Sequence, residues 1–420
     1  MRTTFAAIAL SVCFLLTPFL ALLPVSAEEW TEFRGPTGQG LSTTTGLPVK
    51  WGKKKNVRWQ KAVPGKGWSS PIVYKGQLYL TTAVPGELSG PQTLHVLCLD
   101  ASSGQEIWNV QVFEHEATEI QAKNSHASPT PITDGKHLYV HFGTMGTACL
   151  DLDGKVIWTQ NKLVYDPRHG SGGSPALTAK ALIISCDGYD RQFVVALNRK
   201  SGNILWTTLR PKHSGRGFSF TTPLVIKVNG KQQVVSPGSD YVCSYDPNDG
   251  AELWRVNYPG GYSVVPRPVY AHGLVFVCSG YGTPSLYAIE PDGEGDVTKT
   301  KVRWQTKRNV PHNPTPIVVG DELYMVNDKG GIVSCLDART GDLHWRKRIG
   351  GNYSASPIYS EGKLYFLSEE GVGTVINAST DYKVLAQNDL GVRTLASYVP
   401  TDRSLLIRSE KYLFRIEESR

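Results

Sequence analysis

Apolar and polar residues alternate in short runs along nearly the whole chain, broken by turn-forming residues. The stretch "SSPIVYKGQLYLTTA", starting at Ser69, is representative: an apolar run, a Gly-containing turn, then a β-branched and aromatic run. That pattern encodes an antiparallel hairpin. Related stretches start at Ala127, Gly173, Thr221, Asn313 and Ala355. A second phrase lies between them. "SCLDARTGDLHW" (334–345) reads as strand, Asp-x-x-Thr-Gly turn, and strand with Trp, and weaker copies end at Trp108, Trp206 and Trp254. Each repeat therefore encodes two hairpins, or four strands, and helical periodicity is absent.

The tryptophans Trp59, Trp108, Trp158, Trp206, Trp254, Trp304 and Trp345 recur every 41 to 50 residues, and a degenerate copy places Leu385 next in line. Strand-rich repeats of this period stack radially as propeller blades. The Trp would fill the gap to the next blade, while the Asp and Gly hold its tight turn. The C-terminal repeat offers only three strands, "TLASYVP", "SLLIRS" and "KYLFRIE". An orphan, "NVRWQKAV" (56–63), carries a Trp in fourth-strand position. The expectation is an all-β, eight-bladed β-propeller of four-stranded antiparallel blades. Its ring is closed by the N-terminal strand completing the C-terminal blade, which removes an open edge. Seven blades with one irregular hairpin is the alternative; the register of Leu385 favours eight.

The first residues read differently. Phe5 to Leu23 is almost entirely apolar behind a single Arg2, and Val25-Ser26-Ala27 supplies small residues for cleavage. Residues 1–27 are expected to be a signal peptide, 28–55 a lead-in, and 56–420 one propeller domain. Cys13 lies within the apolar run, which argues against a lipid anchor. No later run reaches the ~18 apolar residues of a membrane helix. A periplasmic or secreted monomer is expected. The net charge of +7 is mild for 420 residues. Lys53-Lys54-Lys55 is the one dense basic run, so no nucleic-acid partner is expected. Cys98, Cys149, Cys186, Cys243, Cys278 and Cys335 fall one to a blade. Equivalent strands lie beyond bridging distance, so six free buried thiols are expected.

The Asp-x-x-Thr/Ser-Gly-x-x-x-Trp phrase resembles the repeat of the PQQ-like β-propeller superfamily. That group includes pyrroloquinoline-quinone dehydrogenases and the propeller subunit of the outer-membrane β-barrel assembly machine (BamB-like). "WTEFRGPTGQGLS" (30–42) and "DGEGDVTKTKVRW" (292–304) are similar to segments of exported proteins of the same group. The resemblance implies the fold across nearly the whole chain. It also implies two functional readings: a non-catalytic binding platform in the cell envelope, or an oxidoreductase using pyrroloquinoline quinone with calcium on alcohols or sugars. The adjacent cysteine pair of many such dehydrogenases is missing. The sequence reading favours the platform and assigns no catalytic residue and no metal.

Candidate ligand-binding positions precede the first strand of each blade, where the chain dips toward the central channel. They are Trp68, His126, His169, Arg216 with Phe218, Tyr262, His312, Tyr353 and Arg393. The set is aromatic and cationic, suited to envelope proteins, an acidic peptide, or a small anionic or planar ligand. Arginine forks onto carboxylates. His126, His169 and His312 come from different blades without metal-ligand spacing. Asp292 to Asp296 reads as an exposed turn lacking a calcium loop's distal Glu. Asp187, Asp190 and Asp328 read as surface turn residues, Ser171 beside His169 has no placed acid, and no GxSxG or HExxH motif occurs.

Overall fold

The structure, a computed structural model, describes residues 28–86, 90–116, 118–211 and 215–418. The expected signal peptide lies outside the described residues. Eight antiparallel sheets follow one another along the chain. Blades 1 to 7 occupy 72–115, 132–160, 176–209, 224–257, 269–306, 317–348 and 358–389. Blade 8 takes three strands from 399–417, and its outer strand is Val57–Ala62, paired antiparallel with Tyr412–Glu417. The ring closes as the sequence implies.

The inner three strands of each blade are buried almost throughout, whereas the outer strand alternates. Ile204–Leu209 buries Trp206 and exposes Ile204, Leu205, Thr207 and Leu209. The buried indole reaches into the next blade. Trp206 Nε1–H donates to the carbonyl of Pro247 at 3.1 Å. The ring lies on Gly250, whose φ of +76° and 2.5 Å clearance to the indole exclude any side chain. Trp108, Trp158, Trp304 and Trp345 bond the same turn of the following blade in the same way. Trp254 departs from this: its Nε1–H goes to Gln233 Oε1, and Gln233 Nε2 relays to the carbonyl of Pro291. In blade 7 the position opposite the third strand falls to Ala386, paired with Val375, and not to Leu385. The turn before the outer strand is one residue longer in blade 7 than in blade 6, since Val375 pairs with Ala386 where Cys335 pairs with Trp345, and that extra residue accounts for the slip. Six cysteines, one in each of blades 1 to 6, are free and buried, and burial pushes the Cys98 thiol up to about 12.

The lead-in does not trail away. Trp30 exchanges two backbone hydrogen bonds with Val73 of blade 1, and Leu41 bridges Tyr359 of blade 7. Between them Glu32 pairs with Arg267 of blade 5 at 3.0 Å, and Gln39 Oε1 accepts from the N–H of Tyr270. Arg34, fully buried, donates to the carbonyls of Pro316 and Pro357. Glu29 and Glu361 bond this segment to the one-to-two turns of blades 1 and 7. The lead-in thus crosses the ring on its tight-turn face and stoppers the channel there. Farther on, Trp51 is buried in the seam between blades 7 and 8, edge-on to Tyr398 at 6.1 Å.

Residues Gly295–Asp296 add a fifth strand, parallel to the outer strand of blade 4. Of the segment read as an exposed turn, Asp292 stands in an exposed turn, whereas Gly295–Asp296 forms an exposed edge strand. Asp296 accepts from Thr298 and Asn257.

Candidate functional site

Six of the eight first strands enter the ring behind a Ser/Thr-Pro step, blade 5 behind Arg267-Pro268 and blade 8 behind Ser397-Tyr398, and these steps form the channel wall. Ser70, Thr130, Ser174, Thr222, Thr315, Ser356 and Ser397 stand at equivalent places in seven blades. The N–H of one donates to the hydroxyl of the next: Ser70 to Thr130 (3.1 Å), Thr130 to Ser174 (2.9 Å), Ser174 to Thr222 (2.9 Å). On the other side Thr315 donates to Ser356 and Ser356 to Ser397, both at 3.0 Å. Ser70 Oγ–H completes the join by donating to the carbonyl of Ser397. The circle breaks once, at Arg267 in blade 5. That side chain turns down to hold Glu32 and the carbonyl of Phe33, so the break in the wall is also the anchor of the stopper.

Above the stopper the channel opens into a cavity of about 530 Å³. Phe33 forms part of its floor, and its upper wall carries Trp68, His169, Phe218, Phe220, Tyr262 and Tyr281. Lys123 and Lys329 also face it, and among the described residues no Asp or Glu does. The aromatic side is packed as a unit. His169 meets Phe218 edge-on at 5.1 Å, and Phe218 meets Tyr262 at 5.9 Å. Burial lowers the His169 pKa, with the nearby Arg168 adding to the effect, which favours the neutral imidazole. Arg216 lies over the Tyr262 ring at 4.6 Å, and Arg393 over Trp68 at 5.7 Å. Both are cation–π contacts at the rim.

The mouth is partly roofed. The connector from blade 1 to blade 2 arches across it, with Gln121 and Asn124 bonded to the carbonyl of His169 on blade 3. On the far side Lys123 Nζ pairs with Glu369 of blade 7 at 2.8 Å, and Arg393 donates to the carbonyl of Ala122. The strap spans the opening from blade 3 to blade 7.

Four of the eight expected positions are brought to the mouth with their side chains on or over it: Trp68, His169, Tyr262 and, through its ring contact, Arg216. Arg393 joins them at the rim, where it also faces Glu410 at 3.6 Å. His126 is buried aside, its Nε2 on the carbonyl of Thr118, and burial lowers its pKa. His312 stacks on Tyr281 at 4.3 Å and faces Asp328 at 3.2 Å, in a separate 220 Å³ depression. Tyr353 turns into the core shared by blades 6 and 7. Two acids read as surface turns are buried. Asp187 takes a bidentate bond from Arg210 (2.6 and 2.9 Å) between blades 3 and 4. Asp328 accepts the N–H groups of His312 and Asn313. Among the described residues no cluster of three or more His, Cys, Asp or Glu could hold a metal ion. Lys123, Lys329, Tyr281 and the hydroxyl circle escaped the sequence reading; the recurrent Ser/Thr-Pro step was the signal for the last.

A family model described as outer membrane protein assembly factor BamB matches residues 41–181, 190–334 and 296–384. The outer membrane protein assembly factor BamB of Legionella pneumophila is 26% identical over 223 residues, covering 49% of this chain and 53% of that protein. The chain thus spans about half the length of that relative. The Yersinia pestis protein of the same name is 22% identical over 276 residues, 63% of this chain and 67% of its own. Among solved structures, BamB from Moraxella catarrhalis superposes with a TM-score of 0.59 at 13% identity, covering 86% of this chain and 97% of that one. A quinohemoprotein alcohol dehydrogenase from Pseudomonas putida HK5 gives 0.62 at 11% identity, covering 93% and 81%. Likeness at that identity is a likeness of fold.

Proposed function

The chain belongs to the β-propeller family described as outer membrane protein assembly factor BamB, and from that membership we propose that it is an exported, non-catalytic binding platform of the cell envelope. Its partners would be envelope proteins that present acidic or aromatic groups to the channel mouth. One observation carries the reading: a blind cavity whose rim sets Arg393 over Trp68 and Arg216 over Tyr262, with Lys329 and the Glu369-paired Lys123 on its wall and no acid lining it among the described residues. A rigid ring with its decoration on one face suits recognition by loops.

The second reading, a quinone-dependent dehydrogenase, is favoured by fold neighbours alone. Calcium is bound through carboxylates and other oxygens, and a wall bearing Lys123 and Lys329 without an acid does not fit it. The aromatic wall itself would accept a planar anion.

Photo-crosslinkers at Tyr281 and at Tyr189, an exposed ring 6.4 Å from Phe218 of the mouth, in cells making the full chain, test the platform. Crosslinks to envelope proteins that weaken about tenfold in an Arg216→Ala/Arg393→Ala variant are expected, since charge-assisted bonds would be lost. Absence of any crosslink would overturn the platform. Uptake of pyrroloquinoline quinone with calcium, seen as a cofactor absorbance accompanied by dye reduction, would replace it with the enzyme.

A further inference from the structure

The rim of the ring is not uniform. Outer strands with free edges are ordinarily blunted by charge, and most here are. Glu106–His115 carries two glutamates, Val302–Thr306 an arginine, Leu343–Arg348 three basic residues, Val384–Asp389 an aspartate, and Val57–Ala62 an arginine and a lysine. Blade 4 has its edge covered by Gly295–Asp296. Two neighbouring blades have neither device: Val156–Gln160 of blade 2 and Ile204–Leu209 of blade 3 contain no charged residue. Their apolar side chains face solvent, with Ile157 45%, Leu205 48% and Leu209 66% exposed.

Blade 4 shows what completes such an edge. Its pairs Ser244–Trp254 and Cys243–Arg255 correspond in register to Ala196–Trp206 and Val195–Thr207 of blade 3. In blade 4 the carbonyl of Arg255 accepts from Val297 N–H at 2.9 Å, and Asn257 N–H donates to Thr298 Oγ1 at 2.8 Å. The matching outward groups of blade 3 are the carbonyl of Thr207 and the N–H of Leu209. Beneath the added strand, Leu253, Arg255 and Asn257 are half-buried; their counterparts Leu205, Thr207 and Leu209 are exposed. Ile204–Leu209 is the last strand of the blade 3 sheet among the described residues.

We propose that the outer edge of blade 3 is a second interaction surface, on which an extended, uncharged segment of a partner protein adds as a fifth strand parallel to Ile204–Leu209. Main-chain bonds to Thr207 and Leu209 would supply affinity. Apolar or β-branched residues at alternate positions would cover Leu205 and Leu209. The surface lies on the rim, apart from the channel mouth, and does not depend on a ligand there.

The test uses the full chain and a fluorescein-labelled peptide of three Val-Thr repeats, read by anisotropy. Saturable binding is expected, unchanged in the Arg216→Ala/Arg393→Ala variant. It should fall at least about tenfold in Leu205→Lys/Leu209→Lys, where charge blunts the edge. It should also fall when alternate peptide nitrogens are methylated, which leaves the protein untouched. No binding, equal affinity in the lysine variant, or loss only in the mouth variant would overturn the proposal. So would a dimer of the wild-type chain that the lysine variant dissolves, because the edge would then belong to a second copy.

Discussion

The indole N–H of Trp59 donates to the carbonyl of Ala101 at 3.2 Å. Trp59 belongs to the outer strand of blade 8 and Ala101 to a turn of blade 1, so one bond spans the junction where the ends of the chain meet. Arg415 donates to the same carbonyl at 2.8 Å, and Arg408, fully buried, reaches the carbonyls of Ser69 and Thr81. Arg415 and Ala101 stand 314 positions apart and Arg408 and Ser69 339, so this seam joins the two ends of the chain.

Trp59→Ala should therefore cost more than the loss of one hydrogen bond. Removing a buried indole destabilises by about 3–5 kcal/mol. Chemical denaturation should show that loss, with hydrogen exchange rising first in 57–62 and 412–417. Unchanged stability would mean the ring does not rely on this junction.

Arg267→Ala should free the stopper. It leaves Glu32 without its partner, and burial already pushes that carboxyl up against the pull of Arg267. Breaking a buried pair of this kind costs about 3 kcal/mol or more. Limited proteolysis should cut the lead-in of the variant and spare that of the parent.

His141 makes the fold sensitive to acid. It is buried with its Nδ1 2.8 Å from Thr147 Oγ1, and burial lowers its pKa to about 4. A folded value below the unfolded one, near 6.5, means the unfolded chain binds the extra proton. Stability is then full above pH 6.5 and declines as pH falls toward 4, by up to ~3 kcal/mol. His141→Gln should flatten urea midpoints across that window.

The strap should open without loss of stability. Lys123 is 45% exposed, and exposed ion pairs contribute at most about 1 kcal/mol. Glu369→Gln should leave the melting temperature unchanged while exchange at 118–125 speeds up. A large drop in melting temperature would show that the strap is part of the core.

The ring was legible because its signals recur. The Trp and the Asp-Gly turn do the same job in successive blades, so seven weak matches reinforce one another. The slip from Leu385 to Ala386 arose because the turn between the third and outer strands is one residue longer in blade 7 than in blade 6. The mouth was legible in part. Trp68, His169 and Tyr262 sit where the dip of the chain put them, but Tyr353 follows its N–H bond to the carbonyl of Asp328 into the core. Lys123 and Lys329 arrive on a connector and a loop that carry no period. Asp187 looked like a turn residue because Arg210, which neutralises it, stands 23 positions away. The course of the lead-in had no repeat to align with, although its Arg34 and Glu32 are among the most firmly held side chains.

Because the strand that seals the ring is translated before any blade, it must wait for the last one. Until Tyr412–Glu417 exists, Val57–Ala62 has no sheet to join, and Trp59 has only half of its eventual pocket. Such long-range pairing slows folding. Synthesis therefore leaves a strand with an unpaired backbone and an uncovered Trp59 near the front of the chain through most of its journey, a window in which a holding chaperone would matter more than for a fold that nucleates locally.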